Sequence, residues 1–183
     1  MKDMKNEQWI MEKYGQICES RIPGYALVSL KIKRFRIFNR LNDRSLGDLL
    51  VEKVYEVLDN YLEEDEYIAQ IHLDYYNILM HYPEDYDEFF HRIIEMNRVI
   101  RDMPFEPFHG KIFSGMGVFP LPQTPVDFYT AQYLSLIHIS YLLFSDNYGI
   151  SISRYTQSIR TFTRFFISGA PSDIPEASYP SVF

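Results

Sequence analysis

Residues 70–80, QIHLDYYNILM, set two short apolar, β-prone runs back to back around a lone carboxylate, Asp74. Strands joined by so short a link pair as an antiparallel hairpin, because a parallel pair needs a crossover of about a dozen residues or more. The turn falls near Leu73 and Asp74, although that dipeptide lacks the glycine such turns favour. Any fold for this chain must therefore carry a hairpin with an acidic tip, and its immediate neighbours offer no second acid to share the work.

The remaining periodicities dress that hairpin. Trp9, Ile10, Lys13, Tyr14 and Ile17 recur at helical spacing within residues 6–20, and RIPG at 21–24 ends the segment. YALVSLKI, 25–32, reads as a buried strand. RFRIFNRLNDRSLGDLL then leads into a helix to about Leu62, with Leu46, Leu50, Val54, Val57 and Tyr61 on one face. After the hairpin, a proline and an acidic first turn (PEDYDE) open a helix whose buried stripe is Phe89, Ile93, Met96 and Ile100. KIFSGMGVF, 111–119, is a further strand, PLPQTP a rigid loop, and VDFYTAQY the start of another helix. The order implies an α/β sandwich: a mixed central sheet flanked by helices, with one antiparallel hairpin pair.

Composition closes off several functions. At 183 residues, with 46% apolar and 16% aromatic residues, one globular domain is expected. A net charge of −7 argues against wholesale binding to nucleic acid or anionic membrane. Cys18 is the single cysteine, so no internal disulfide forms, and a reducing cytoplasm is the expected location. No apolar run approaches transmembrane length, and the N-terminus has no signal-peptide apolar core. The five histidines show no ligand spacing, and no G-x-S-x-G context marks a nucleophile. Ser114-Gly115-Met116-Gly117 is strand sequence rather than a phosphate loop, and EDYDE, 84–88, is a solvated helix start.

Several residues together resemble the GGDEF family, the diguanylate cyclase domains that condense two GTP into cyclic di-GMP. KIKRFRIFNRLNDRSLGD, 31–48, matches the family's D-x-D-x-F-K-x-x-N-D-x-x-G-H-x-x-G-D at Phe35, Asn39, Gly47 and Asp48, and Arg36 stands for the lysine. The signature R-x-G-G-D-E-F falls on QIHLDYY without a gap, and GMGVFP resembles a later S-I-G-V strand at Gly117 and Val118. The resemblance covers residues from about 6 to 133 and implies a nucleotide-cyclase-like fold with a ferredoxin-like core.

It also implies lost chemistry. His72 and Leu73 fill the two glycine positions, where a β-carbon obstructs the approach of backbone to triphosphate. Asp74 keeps the signature acid, Tyr75 replaces the second, Tyr76 takes the phenylalanine position, and Gln70 replaces the arginine. Lys31 stands at the other metal-binding aspartate, so Asp74 is the sole retained metal ligand and magnesium is not expected. The family's R-x-x-D product-inhibition motif reads Glu63-Glu64-Asp65-Glu66. The resemblance makes Asn39 and Asp48 a guanine-reading pair, an amide and a carboxylate facing one base edge. With Phe35, Arg36 and Lys31 they form the candidate nucleotide site, Lys31 meeting phosphate in place of the metal. Each has a structural alternative: Asn39 as a turn cap, Asp48 as a first-turn carboxylate, Lys31 as a solvated strand-end lysine, Asp74 as a turn aspartate.

At LSLIHIS, 134–140, the family's final-helix pattern A-D-x-A-L-Y-x-A-K collapses after Ala131 and Gln132. The same six residues LSLIHI translate the transposase end used in DNA library preparation. Residues 134–183 are accordingly expected to be a non-native or disordered tail on a 1–133 domain; a natural helix with Leu134, Ile137 and Tyr141 on one face is the alternative. The family's opening D-x-L-T-G-L-x-N turn survives only as Asn6. A sensor upstream and an EAL phosphodiesterase domain downstream are expected as tethered partners, and a homodimer is compatible. The functional expectation is an inactive regulatory module in cyclic di-GMP signalling that binds GTP; the alternatives are a ligand-free dimerisation or docking module and a weak cyclase.

Overall fold

A computed structural model of the protein describes residues 4–142 apart from 23, 84 and 107, with side chains as far as 136. These residues fall within one unit, Met1–Gly149. The element order is α1 (Glu7–Glu19), β1 (Tyr25–Ile32), α2 (Phe35–Leu41), α3 (Arg44–Tyr61), β2 (Tyr67–His72), β3 (Tyr75–His81), α4 (Tyr86–Asp102), β4 (Ser114–Pro120) and α5 (Phe128–Leu142).

The four strands lie in the order β2-β3-β1-β4. β1 sits inside the sheet, and seven of its eight residues are buried, which its near-continuous apolar run anticipates. Its even-numbered residues Ala26, Val28, Leu30 and Ile32 meet the stripes of α3 and α4, including Leu50, Val54, Ile93 and Met96. Its odd-numbered Tyr25 and Leu27 meet Ile10, Tyr14 and Ile17 of α1, with Phe128 and Ala131 of α5. The period of two along the strand therefore builds two cores, one on each face of the sheet.

The expected mixed sheet is corrected in one respect. All three pairings, β1 with β3, β1 with β4 and β2 with β3, are antiparallel. Each helical crossover skips one sheet position, and the skipped slot receives a strand of opposite direction, so no parallel neighbours arise. The segment that leads into the helix ending near Leu62 carries a short helix of its own: α2 ends at Asn42, whose side-chain amide donates to Phe38 O at 2.9 Å, and Asp43 precedes α3. The last strand begins at Ser114, and before it Phe113 O accepts the Lys33 N–H at 2.8 Å.

α1 opens with the Asn6 side chain accepting Trp9 N–H at 3.0 Å. α5 runs from Phe128 through Leu142, across the point where the family pattern breaks; Leu134 packs against the α1-side core and Ser135 is buried. The rest of the segment read as foreign, from residue 143, lies outside the described residues. No helix among the described residues is long and apolar enough to cross a membrane.

Candidate functional site

The β2–β3 hairpin turns on Leu73 and Asp74, as the sequence indicates. Leu73 adopts φ +40°, left-handed backbone that costs a side-chain-bearing residue roughly 1–2 kcal/mol. Three bonds hold it there: Gln70 Nε2 donates to Leu73 O at 2.8 Å, Gln70 N–H to Lys5 O at 2.9 Å, and Ile32 N–H to Asp74 O at 3.0 Å. Gln70 is therefore the staple of the turn. A register shift between Gln70 and His72 leaves Ile71 as a bulge beside it. His72 and Leu73 are exposed and Asp74 half-buried.

Beyond the tip, the two tyrosines point to opposite faces. Tyr75 donates to Ser29 Oγ at 3.0 Å on the α5 side, where Ser29 also bonds Asn77 Oδ1 at 2.9 Å and the Ser135 hydroxyl. Burial pushes the Tyr75 phenol up to about 12, so it stays neutral and is no substitute for a carboxylate. Tyr76 is fully buried in the other core and donates to Val51 O at 2.9 Å; burial raises its pKa.

The C-terminal end of β1 faces this hairpin. Lys31 is exposed, between Tyr75 and Gly115 in the sheet register. Arg34 then takes φ +57° to start α2, a second left-handed non-glycine at the same pole. Phe35 is 4% exposed and belongs to the core, whereas Arg36 is exposed. Asn39 leans across the α2–α3 seam so closely that a methyl group on Gly47 would overlap its amide. Its Oδ1 is buried with no hydrogen-bond partner among the described residues. Asp48, next to Gly47, is exposed on α3, so Asn39 and Asp48 flank one seam. Residues 31–44 carry six cationic residues (Lys31, Lys33, Arg34, Arg36, Arg40, Arg44) against one acid, Asp43, in a chain of net charge −7.

Solved structures share this fold at low identity. The active GGEEF domain of a diguanylate cyclase from Vibrio cholerae superposes with a TM-score of 0.65 at 13% identity, covering 76% of this chain and 90% of that one. The fold is that of a GGDEF domain. The GGDEF domain of DgcB from Caulobacter crescentus in complex with c-di-GMP gives 0.64 at 12% identity, over 75% of this chain and 82% of that one. Diguanylate cyclase SiaD in complex with its activator SiaC from Pseudomonas aeruginosa gives 0.66 at 11% identity; 75% of this chain spans 54% of that one. No family model and no curated protein matches the sequence.

The GGDEF frame brings out two residues that the sequence reading passed over. Lys33 occupies the second aspartate of D-x-D, so both acids of that motif are lysines here; the quoted motif already contained this signal. The other is Arg92, which has no local sequence signal. At the opposite pole of the sheet, beside the start of β1, it grips Glu66 with two bonds of 2.7 Å and lies 3.5 Å from Glu63. Glu66 also accepts the N–H groups of Glu63 and His81 at 3.1 and 2.8 Å. Burial alone would push its carboxyl up, but Arg92 and these two donors outweigh burial and hold it below the ordinary range. The R-x-x-D position is thus closed by an internal ion pair. The candidate metal cluster found among the described residues, Glu63, Asp65 and His81, lies here rather than at the hairpin, and His81 Nε2 already meets Asp65 at 2.8 Å.

Proposed function

We propose that this chain is a catalytically silent GGDEF-fold module of cyclic di-GMP signalling, one that binds GTP and passes its occupancy to a tethered effector such as an EAL phosphodiesterase. Asn39 and Asp48 read guanine across the α2–α3 seam, and Arg36 and Lys31 meet phosphate charge. Phe35, assigned to the site from sequence, supports it from the core.

The observation that carries this reading is Asn39: its buried amide oxygen has no donor among the described residues. Such a group costs about 1–3 kcal/mol until one arrives, and guanine brings N–H donors. Lys31 and Arg36, both exposed, bring positive charge for a triphosphate.

Turnover is a different matter. Two magnesium ions need several carboxylates, and the hairpin pole offers Asp74 with Lys31 and Lys33 where acids would stand. The residues present do not fit the metal pair. Tyr75, neutral and turned toward Ser29, supplies no base.

Equilibrium titration of the purified chain with GTP, GDP and ATP tests the reading. GTP and GDP should bind and ATP should bind at least about tenfold more weakly, one misread base edge being worth about 1.4 kcal/mol. Asn39→Ala should remove the preference. Equal binding of ATP, or formation of cyclic di-GMP from GTP, would overturn it.

A further inference from the structure

On the other side of α2, away from the Asn39 seam, an open cleft of about 510 Å³ runs between that helix and the segment leading into β4. Such a volume is typical of small-molecule sites. Its floor is aromatic and aliphatic. Phe38 meets Phe108 edge to face, with ring centroids 5.1 Å apart, and Leu50 and Ile112 complete the base. Its mouth holds three large apolar side chains left in water: Ile37 at 53% exposure, Leu41 at 77% and Phe113 at 51%.

The walls are fixed before any ligand arrives. The outer end of the Phe108 ring comes so close to Gly110 that a methyl group there would overlap it. Lys33 N–H holds Phe113 O at 2.8 Å, and the Asn42 amide holds Phe38 O at 2.9 Å. A cleft so tied loses little entropy on binding.

The rim is cationic. Lys33, Arg34 and Lys111 line it and no acidic residue does, in a chain that carries seven excess negative charges. Lys111 also meets Asp102, which does not line the cleft, at 3.5 Å. Arg34 makes no ion pair with a described residue, and it is presented by left-handed backbone at φ +57°. Non-glycine residues in that conformation recur where a site demands it.

We propose that this cleft binds a small amphipathic anion, with an aromatic or branched apolar body on Phe38 and Phe108 and one anionic group against Arg34 and Lys33. The site stands apart from the guanine reading, since neither Asn39 nor Asp48 lines it. The two would share α2: Ile37, Phe38 and Leu41 face the cleft, and Asn39 packs on Gly47 across the other seam.

Fluorescence titration of the whole chain with 8-anilinonaphthalene-1-sulfonate, beside the uncharged N-phenyl-1-naphthylamine, tests it. The sulfonate should bind saturably at one site per chain and more tightly than the neutral probe. Leu41→Glu, at a position exposed enough to keep the fold, should weaken both probes about tenfold, as expected from repulsion or lost apolar contact of about 1.4 kcal/mol. Arg34→Gly, which also suits the local backbone, should weaken the sulfonate alone. Unsaturable binding by the parent chain, equal affinity for the two probes, or indifference to both substitutions in folded protein would each overturn the proposal.

Discussion

The two poles of the sheet are built on opposite principles. At the pole where β1 begins, several charged groups are paired: Arg92 grips Glu66 and His81 meets Asp65, while the Tyr25 hydroxyl donates to Asp65 O at 2.9 Å and Arg21 takes left-handed backbone at φ +49°. At the pole where β1 ends, Leu73 and Arg34 also hold left-handed backbone, the buried Asn39 oxygen has no donor among the described residues, and six cations crowd fourteen residues. One end is dominated by paired charges, and the other by a concentration of cations around the Asn39 seam. A fold that only had to persist would gain by treating both ends alike. The difference is in keeping with the nucleotide site proposed at the hairpin pole, and the R-x-x-D position is occupied by the Arg92–Glu66 ion pair.

Breaking the closed pole should have the largest effect. Arg92→Met leaves the Glu66 carboxylate, its side chain fully buried, without its cation, and should cost about 3 kcal/mol in urea unfolding. Its pH signature follows from the lowered pKa of Glu66. A carboxyl depressed in the folded state contributes its full stability above the unfolded value, near 4.5, and loses it as pH falls through the folded value. Thermal unfolding of the parent chain and of Glu66→Gln should therefore differ most at neutral pH and converge as the solution is acidified below that value. A difference independent of pH would show that Glu66 does not act through its charge.

Gly47→Ala separates the poles more sharply. The added methyl displaces the Asn39 amide, but alanine is the better helix former by about 1 kcal/mol, and an amide at the end of a side chain can swing away. Stability should change by less than about 1 kcal/mol, whereas guanine-nucleotide affinity should fall as it does in Asn39→Ala. A large loss of stability with affinity intact would make the seam structural.

The smallest effect belongs to Leu73→Gly. Glycine relieves the left-handed strain but adds chain entropy to the unfolded state, so a net gain of about 0.5 kcal/mol is expected from chemical denaturation. A loss would mean that the leucine side chain makes contacts worth more than its strain.

Much of this was legible in the chain. The stripe of α4, the buried run of β1 and the hairpin tip at Leu73 and Asp74 all follow from local period and turn chemistry, which neighbours in sequence decide. The antiparallel direction of every pairing was not, because strand order depends on which slot each crossover skips. The Arg92–Glu66 pair joins residues 26 apart, and no pattern within either segment announces it. Tyr75 falls just past the turn, as the hairpin reading implies, but its turn toward Ser29 depends on β3 and α5 meeting across the sheet. The cleft under α2 was hidden for the same reason: Phe38 and Phe108 lie 70 residues apart and meet only in the fold.

The central claim is that the hairpin pole has exchanged metal for lysine while keeping its guanine reader. Calorimetric titration with GTP in the presence of a chelator and again in magnesium, on the parent chain and on Lys31→Asp, tests it most directly. The account predicts that the parent binds equally well with and without magnesium, and that Lys31→Asp binds weakly until the ion is supplied. Parent binding that appears only with magnesium would contradict it.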